Sequence, residues 1–461
     1  MTTTTLPSSA EIAERLQTWI ERYRVAGAAV AWMHGDEIQS AAAGVINTAT
    51  RVETTPDTVF QIGSITKVYT TTLIMQLVDE GRIDLDAPAV TYLPALRFAD
   101  PDQTPRVTIR HLLTHSSGVD GDFFEDFGRG DDAIANYVDA CARLPFIFPL
   151  GEMWSYCNAG FVVLGRIVET MTGTTWEQAL HDRLLAPLGA TRTVTLPEDA
   201  LLHRTAAGHF GLVPDAPALA PVWGMPRAQA PAGSTPCSTV EDLLLFARMH
   251  LDGGKTRDGK QQLLSAASVR EMQRTQVDLP PQPGEGAGHW GLGWMQFDWG
   301  GRRVIGHDGG TLGQNSSLRI FPDEDVAVAV LTNTSPTGGV MAGRIMRWIF
   351  GQGLGLDMPD RPKPPETPPA IDLAPYVGTY GKVEMRAEIS LVDGRLWLEF
   401  TNTGPLAAIA PQQPPMPLFP VTDTLMLQRP TENFYSPMTF SHFEEGKPKY
   451  FFTGRVYRRV Q

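Results

Sequence analysis

The sequence predicts an α+β protein: an antiparallel sheet flanked by helices, a mainly helical subdomain within it, and a small all-β domain at the C-terminal end. Three observations carry this. β-like runs lie near the N-terminus and again within residues 290–333, with helical patterns between, so one sheet is assembled from two distant stretches of chain. Residues 84–246 mix helical periodicity with proline-rich loops. Between Pro359 and Pro369, six of eleven residues are proline, a stretch poor in the N–H groups a sheet needs and biased to extended polyproline geometry. The expected division is 1–355 for the α+β domain, 356–369 for a proline-rich linker and 370–461 for the β domain.

Taken in order, Ser8 or Ser9 caps a helix whose apolar positions Ile12, Leu16, Ile20 and Tyr23 recur at three to four residues. Residues 25–33 are a run of small and branched apolar side chains, His34-Gly35-Asp36 is a turn, and 37–44 is a second strand, so the three form a hairpin. Residues 64–78 are helical, end at Gly81 and carry Ile65, Val68, Met75, Leu77 and Val78 toward a core. Residues 290–299, 303–306, 317–321 and 326–333 read as a four-stranded meander, followed by a helix over 341–350. Beyond the linker, 376–380, 387–392, 395–400, 425–428, 439–443 and 450–457 are short β-like runs split by turns such as Asp393-Gly394 and Glu445-Gly446. They fit a small sandwich or barrel. Ser238 to Asp242 fits a capping box with Glu241 at the third helical position.

Composition narrows the function classes. A chain of 461 residues with 42% hydrophobic content and a formal net charge of -13 repels phosphate backbones and anionic membrane surfaces, which disfavours nucleic-acid and membrane partners. No run approaches the roughly 18–20 apolar residues that span a bilayer. The first residues hold no basic group and no apolar core, so no secretory leader is expected and a cytoplasmic location is. Cys141, Cys157 and Cys237 are scattered and outside any Cys-x-x-Cys, which implies neither a disulfide framework nor a metal site. No cofactor is expected.

The chemistry concentrates in three places. Ser64-Ile65-Thr66-Lys67 is the single Ser-x-x-Lys in the chain, and residues three apart on a helix share a face. A serine hydroxyl becomes a nucleophile only when a base removes its proton, and a lysine can be that base when burial and positive potential keep it neutral. A capping serine followed by a surface lysine is the bland alternative. Tyr156-Cys157-Asn158 is the single Tyr-x-Asn; its phenol and amide suit proton relay and substrate holding, or the phenol is half buried and bonded to backbone. Of three His-x-Gly tripeptides, only His307-Asp308-Gly309 is expected to end a strand of the same sheet, with Gly310 following. His111 and His115 read as packed or hydrogen-bonded. Cys157 reads as a small buried side chain, or a redox-sensitive thiol. Arg455, Arg458 and Arg459 read as solvated charges, with an arginine that reaches a substrate carboxylate as the alternative.

The ordered set Ser-x-x-Lys, Tyr-x-Asn and His-x-Gly resembles the serine β-lactamase and penicillin-binding-protein superfamily on its class C side, where the third element is often Lys-Thr-Gly. Flanking stretches resemble it too: residues 60–67, 109–118 and Pro187-Leu188-Gly189. Residues 376–380 are similar to the start of lipocalin-like domains appended to some members. The resemblance implies that Ser64 is acylated, that Lys67 is its proton partner, and that Tyr156 passes a proton to the leaving group. It implies that Asn158 holds the acyl side chain, that His307 replaces the family's lysine, and that Gly310, after the motif glycine Gly309, supplies an oxyanion N–H beside that of Ser64. Lys67 and a Tyr156 phenolate remain alternative bases. The implied activity is an acyl-enzyme on Ser64 formed from a small-molecule or peptidyl ester, thioester or amide, a carrier-protein thioester among the candidate donors. An amine acceptor makes a transacylase or a peptide cyclase like the penicillin-binding-protein-type thioesterases; water makes a carboxylesterase or D-specific amidase. A catalytically dead binding protein and a ligand-binding β domain are the readings from other classes.

Overall fold

The protein is described by a computed structural model, in which residues 6–211, 216–431 and 434–460 are placed. The first helix, α1 (Ser9–Tyr23), is fixed at its start by a reciprocal cap: the Glu11 N–H donates to the Ser8 hydroxyl, and the Ser8 N–H donates to the Glu11 carboxylate at 2.8 Å. It buries Ile12, Leu16 and Ile20. The hairpin β1 (Gly27–His34) and β2 (Glu37–Gly44) follows, and β1 pairs antiparallel with β8 (Val326–Thr332), Val30 facing Val330. Between them in sequence lie β3 (Val277–Asp278), β4 (His289–Trp290), β5 (Met295–Trp299), β6 (Arg302–Thr311) and β7 (Gln314–Phe321). The sheet order is β2-β1-β8-β7-β6-β5-β4-β3, so the two ends of the α+β region meet in one sheet as the sequence implies.

Both faces of this sheet are covered, which is why β1 and β8 read as unbroken apolar runs rather than alternating ones. Val30, Val304, Phe321 and Val328 pack under α1 and α5 (Thr337–Leu354). Ala29, Ile305, Leu318 and Ala329 face α2 (Thr66–Asp79) and α4 (Val240–Leu251). The helical subdomain centres on α3 (Asn158–Thr172), whose Phe161, Val163 and Leu164 are fully buried.

Four local expectations need correction. The helix expected from residue 64 begins at Thr66, after a tight turn over Gly63–Ile65. The strand expected over 290–299 is two strands, because glycines 291 and 293 turn the chain between them. The strand expected to stop at Gly306 continues to Thr311: β7 supplies partners through Thr311 opposite Gln314 and offsets the weak strand preference of the glycines. Thr239, not Ser238, caps α4, its hydroxyl accepting from the Asp242 N–H at 3.1 Å; Ser238 is held in a short strand pair with Phe60, and Glu241 instead accepts from Ser40.

The C-terminal domain is a closed eight-stranded barrel: β9 (Gly378–Lys382), β10 (Met385–Val392), β11 (Arg395–Asn402), β12 (Met416–Pro420), β13 (Leu425–Thr431), β14 (Phe434–Glu444), β15 (Lys447–Phe452) and β16 (Val456–Arg459). Tyr380 facing Arg459 closes it. Strand β12, flanked by prolines, is not visible in the sequence pattern, and the run expected over 450–457 is two strands joined by a turn at 453–455. Tyr380, Leu398, Met426, Phe440 and Phe451 fill the interior, as eight strands allow. The proline-rich stretch does not hold the barrel away from the sheet. Arg347 donates to the carbonyls of Met358 and Pro359, and Trp154 and Trp290 cluster with Phe452 and Val456 of the barrel. No helix among the described residues is long and apolar enough to cross a membrane.

Candidate active site

Ser64 sits in the turn before α2, and two glycines bring that turn against β6. Gly63 has φ +51°, and a Cβ there would lie 2.6 Å from the Gly310 nitrogen. A Cβ on Gly309 would lie 2.0 Å from the Ile62 carbonyl oxygen. The serine turn and the glycine run therefore approach backbone to backbone, which only glycine permits. On the next turn of α2, Lys67 is fully buried, with Nζ 3.0 Å from Ser64 Oγ and 2.6 Å from the Ala232 carbonyl oxygen. Burial pushes its ammonium well below the ordinary lysine range, and the Arg455 guanidinium pushes the same way against the weaker pull of Asp122. The surface-lysine alternative is excluded.

Tyr156 precedes α3, whose first turn is capped by Cys157: its Sγ accepts from the Gly160 N–H at 3.4 Å. Burial raises both the Tyr156 phenol, directed at Ser64, and the Cys157 thiol, the latter to about 12. The Tyr156 hydroxyl has no completed hydrogen bond, so the backbone-bonded alternative also falls. The Tyr156 ring stacks on His115 at 4.3 Å, and Lys67 Nζ lies 4.8 Å from its centroid. His115 is packed and hydrogen-bonded: buried at φ +58°, it accepts the Cys157 N–H on Nδ1 at 3.0 Å. His111 accepts the Thr108 N–H at the start of a short helix. The Asn158 amide is already engaged, donating to Asp122 Oδ1 at 2.7 Å.

His307 lies in the middle of β6, its ring 6.2 Å from that of Tyr156. Its Nδ1 is 2.6 Å from the Asp308 carbonyl oxygen, which can only accept, so the proton is on Nδ1 and the bare Nε2 is buried without a partner. Burial, reinforced by Lys67, lowers its pKa to about 3. Asp308 is paired with Arg319 through two contacts of 2.8 and 2.9 Å. β5 pairs with β6 only as far as Gly306, so no described strand pairs with that edge of residues 307–311.

The residues that sequence reasoning missed come from the barrel and from the loop facing it. Asp122 is buried and holds Asn158, Lys382 at 3.1 Å, and the Arg455 Nε. The two cations hold its carboxyl far below the usual range against the opposing effect of burial. Arg455 is not a solvated charge: its side chain is 33% exposed, and its guanidinium lies 4.7 Å from the Tyr156 ring centroid. The adjacent Gly454 carbonyl accepts the Tyr156 N–H at 3.3 Å. Arg459 is a barrel tie, donating to the carbonyls of Val377 and Pro375, while Arg458 is exposed. Nothing local marks Asp122 or Arg455. The one available signal is the polar tip 453–455 that follows the apolar run Tyr450-Phe451-Phe452. No group of three or more potential metal-ligating side chains occurs among the described residues.

Ser64, Lys67, Tyr156 and His307 thus converge from a helix start, a loop and a strand. The family model described as Beta-lactamase matches residues 10–349. The chain belongs to this beta-lactamase family. Within it, the chain is 43% identical over 371 residues to penicillin-binding protein 4 of Amycolatopsis lactamdurans, covering 80% of this chain and 96% of that one. It is 25% identical to a D-aminopeptidase of Brucella anthropi over 72% of this chain and 60% of the relative. Among solved structures, SurE superposes with a TM-score of 0.77 at 27% identity over 98% of this chain and 99% of SurE, barrel included; a second SurE structure contains D-Leu. As a beta-lactamase-family member with penicillin-binding-protein relatives, the chain is a serine hydrolase or acyltransferase.

Proposed function

We propose that this protein transfers an acyl group through Ser64 from an ester or thioester to an amine, as a peptide cyclase or transacylase does. The observation that carries the reading is the barrel tip at the site: Gly454 bonds the backbone of Tyr156 and Arg455 covers its ring. For an amine to win over water, it must be positioned while water is kept out, and positioning supplies effective molarities of about 10⁵ M or more. A second domain seated on the proton-relay tyrosine serves that need. SurE, similar over both domains and seen with D-Leu, supports a donor whose acylating residue is D-configured.

In this reading, neutral Lys67 accepts the Ser64 proton as Oγ attacks the carbonyl carbon, and the N–H groups of Ser64 and Gly310 hold the oxyanion. Tyr156, kept protonated by burial, gives its proton to the departing thiolate or alkoxide and is reprotonated from Lys67. The amine then attacks the ester, its proton leaves by the same route, and Ser64 Oγ recovers a proton as the acyl bond to it breaks. The bare His307 Nε2 is an acceptor for the amine N–H, a role the family's usual charged lysine could not fill. Asn158, oriented by Asp122, holds the acyl group from the other side. Residues 1–355 form the acylating part, 356–369 the linker and 370–461 the acceptor-side part. A carrier-protein thioester in the cytoplasm is a fitting donor.

The test is one donor, a D-phenylalanyl peptide thioester of N-acetylcysteamine, incubated with and without an added amine. Amide or cyclic product in excess of acid supports transfer; acid alone supports the second reading, a D-specific amidase or esterase, which the D-aminopeptidase relative favours.

A further inference from the structure

The barrel meets the acylating region along a seam, and besides the tip at Gly454 and Arg455 it reaches across through the turn that joins β9 to β10. Lys382 pairs with Met385, so Val383 and Glu384 make that turn. Glu384 stands at φ +57°, in the left-handed region where glycine costs least. Another side chain persists there only where its surroundings over-determine it. They do so here. The two carboxylate oxygens of Glu384 share the Phe124 N–H at 3.1 and 3.0 Å, across 260 residues of sequence. On the barrel side the carboxyl lies against Gly404, where any Cβ would overlap it. Gly404 has φ -105°, so its missing side chain provides room for Glu384 rather than backbone freedom.

Residues 120–124 belong to no helix or strand and run between this turn and the start of α3, bonded on both sides. Toward the barrel, Asp120 accepts the Val383 N–H at 2.6 Å, Asp122 accepts from Lys382 at 3.1 Å, and Phe124 donates to Glu384. Toward α3, the Gly121 carbonyl accepts the Ala159 N–H at 2.9 Å, and Asp122 Oδ1 accepts from the Asn158 amide at 2.7 Å. The Pro145 carbonyl and the Tyr137 hydroxyl bond the backbone of residues 120 and 123 from the helical subdomain. The Phe124 N–H is held from the barrel.

We propose that Glu384 is a positioning residue for acylation: by holding the Phe124 N–H it fixes residues 122–124, and with them the Asp122 carboxylate that orients Asn158. The barrel thereby sets the acyl-binding side of the site through a backbone contact as well as through the charges of Lys382 and Arg455. The inference rests on the role given to Asn158 above but not on the identity of the acceptor.

The experiment follows p-nitrophenol release from N-acetyl-D-phenylalanine p-nitrophenyl ester by the full chain, which reads acylation whether water or an amine follows. Glu384→Gly removes the acceptor and relieves the turn, so kcat/KM should drop about fivefold or more while the melting temperature does not fall. Gly404→Ala displaces the same carboxyl without altering the turn and is expected to lose as much. Glu384→Gln keeps one acceptor oxygen and should stay within about twofold of the unmodified protein. Asn158→Ala should itself lower kcat/KM, and adding Glu384→Gly to it should change the value by no more than about twofold, because the two act through one contact. Unchanged kcat/KM in both Glu384→Gly and Gly404→Ala, a Glu384→Gln loss equal to that of Glu384→Gly, or losses that multiply with Asn158→Ala would each overturn the positioning role alone. An Asn158→Ala protein as active as the unmodified one would overturn the role of Asn158 and the positioning role with it, which sets that failure apart from the others.

Discussion

The acylating region and the barrel solve opposite electrostatic problems. Around Ser64, burial works against charge: Lys67 and His307 are held below their ordinary values and Tyr156 above its own. The barrel instead brings two cations, Lys382 and Arg455, to a single buried carboxylate, Asp122, on the other domain. The contrast shows that neither half of the site is self-sufficient. With the barrel in place but Lys382 and Arg455 neutralised, Asp122 would be a buried charge with only an amide for company, and removing partners from such a charge costs about 3–5 kcal/mol.

The largest effect expected sharpens the contrast on the acylating side alone. Ser64→Ala should abolish labelling of the intact protein by a fluorophosphonate and lower turnover by about 10⁴-fold or more; mass spectrometry that finds label elsewhere in that variant would refute the assignment. Lys67→Ala and Tyr156→Phe come next, each lowering kcat by about 10²- to 10⁴-fold, with melting temperature as the control for folding. Nitrocefin should be a poor substrate beside p-nitrophenyl esters. The neutral His307 offers no positive charge to the carboxylate of a cephalosporin, so efficient nitrocefin hydrolysis would break that reading.

How much of this was readable in advance divides along the same seam. The candidate site was legible because chemistry restricts residue types at short spacing: Ser64 and Lys67 are three apart, and Tyr156 and Asn158 two apart. The sheet was legible because β1 and β8, though some 300 residues apart, each carry an apolar run too long to be half exposed. Asp122 and Arg455 were not legible. They are 333 residues apart, each lies in a polar loop, and an arginine in such a loop is solvated far more often than buried. The course of β6 past Gly306 was hidden for a different reason: glycines weaken the strand signal, while the hydrogen bonds that restore it come from β7.

Arg455→Gln crosses the seam and is expected to have a moderate effect of known sign. Arg455 lowers the Lys67 pKa, so removing its charge raises it, and the fraction of neutral lysine at a given pH falls. The acid limb of the kcat/KM profile should therefore move to higher pH, with a loss of about tenfold at its midpoint. Arg455→Lys keeps the charge and should restore the limb while leaving Asp122 less well bonded. A profile that is lowered in Arg455→Gln without moving along the pH axis would mean that the arginine only packs.

The smallest effect concerns Asp120, whose carboxylate accepts the Val383 N–H of the barrel at 2.6 Å and whose pKa burial raises to about 6 from 3.8. Here the acylating region breaks its own rule, because above pH 6 it holds an ionised group in a buried contact. With the folded value above the unfolded one, the folded chain binds the extra proton between the two. The stability it contributes is complete below 3.8 and is lost as pH rises through 6. From pH 5 to pH 8 the loss is about 1 kcal/mol. Asp120→Asn cannot ionise, so its melting temperature relative to the unmodified protein should rise between those two pH values. An offset that is the same at pH 5 and pH 8 would show that Asp120 does not titrate in the seam, and the barrel would then be held by the Asp122 cluster and the Trp154 cluster alone.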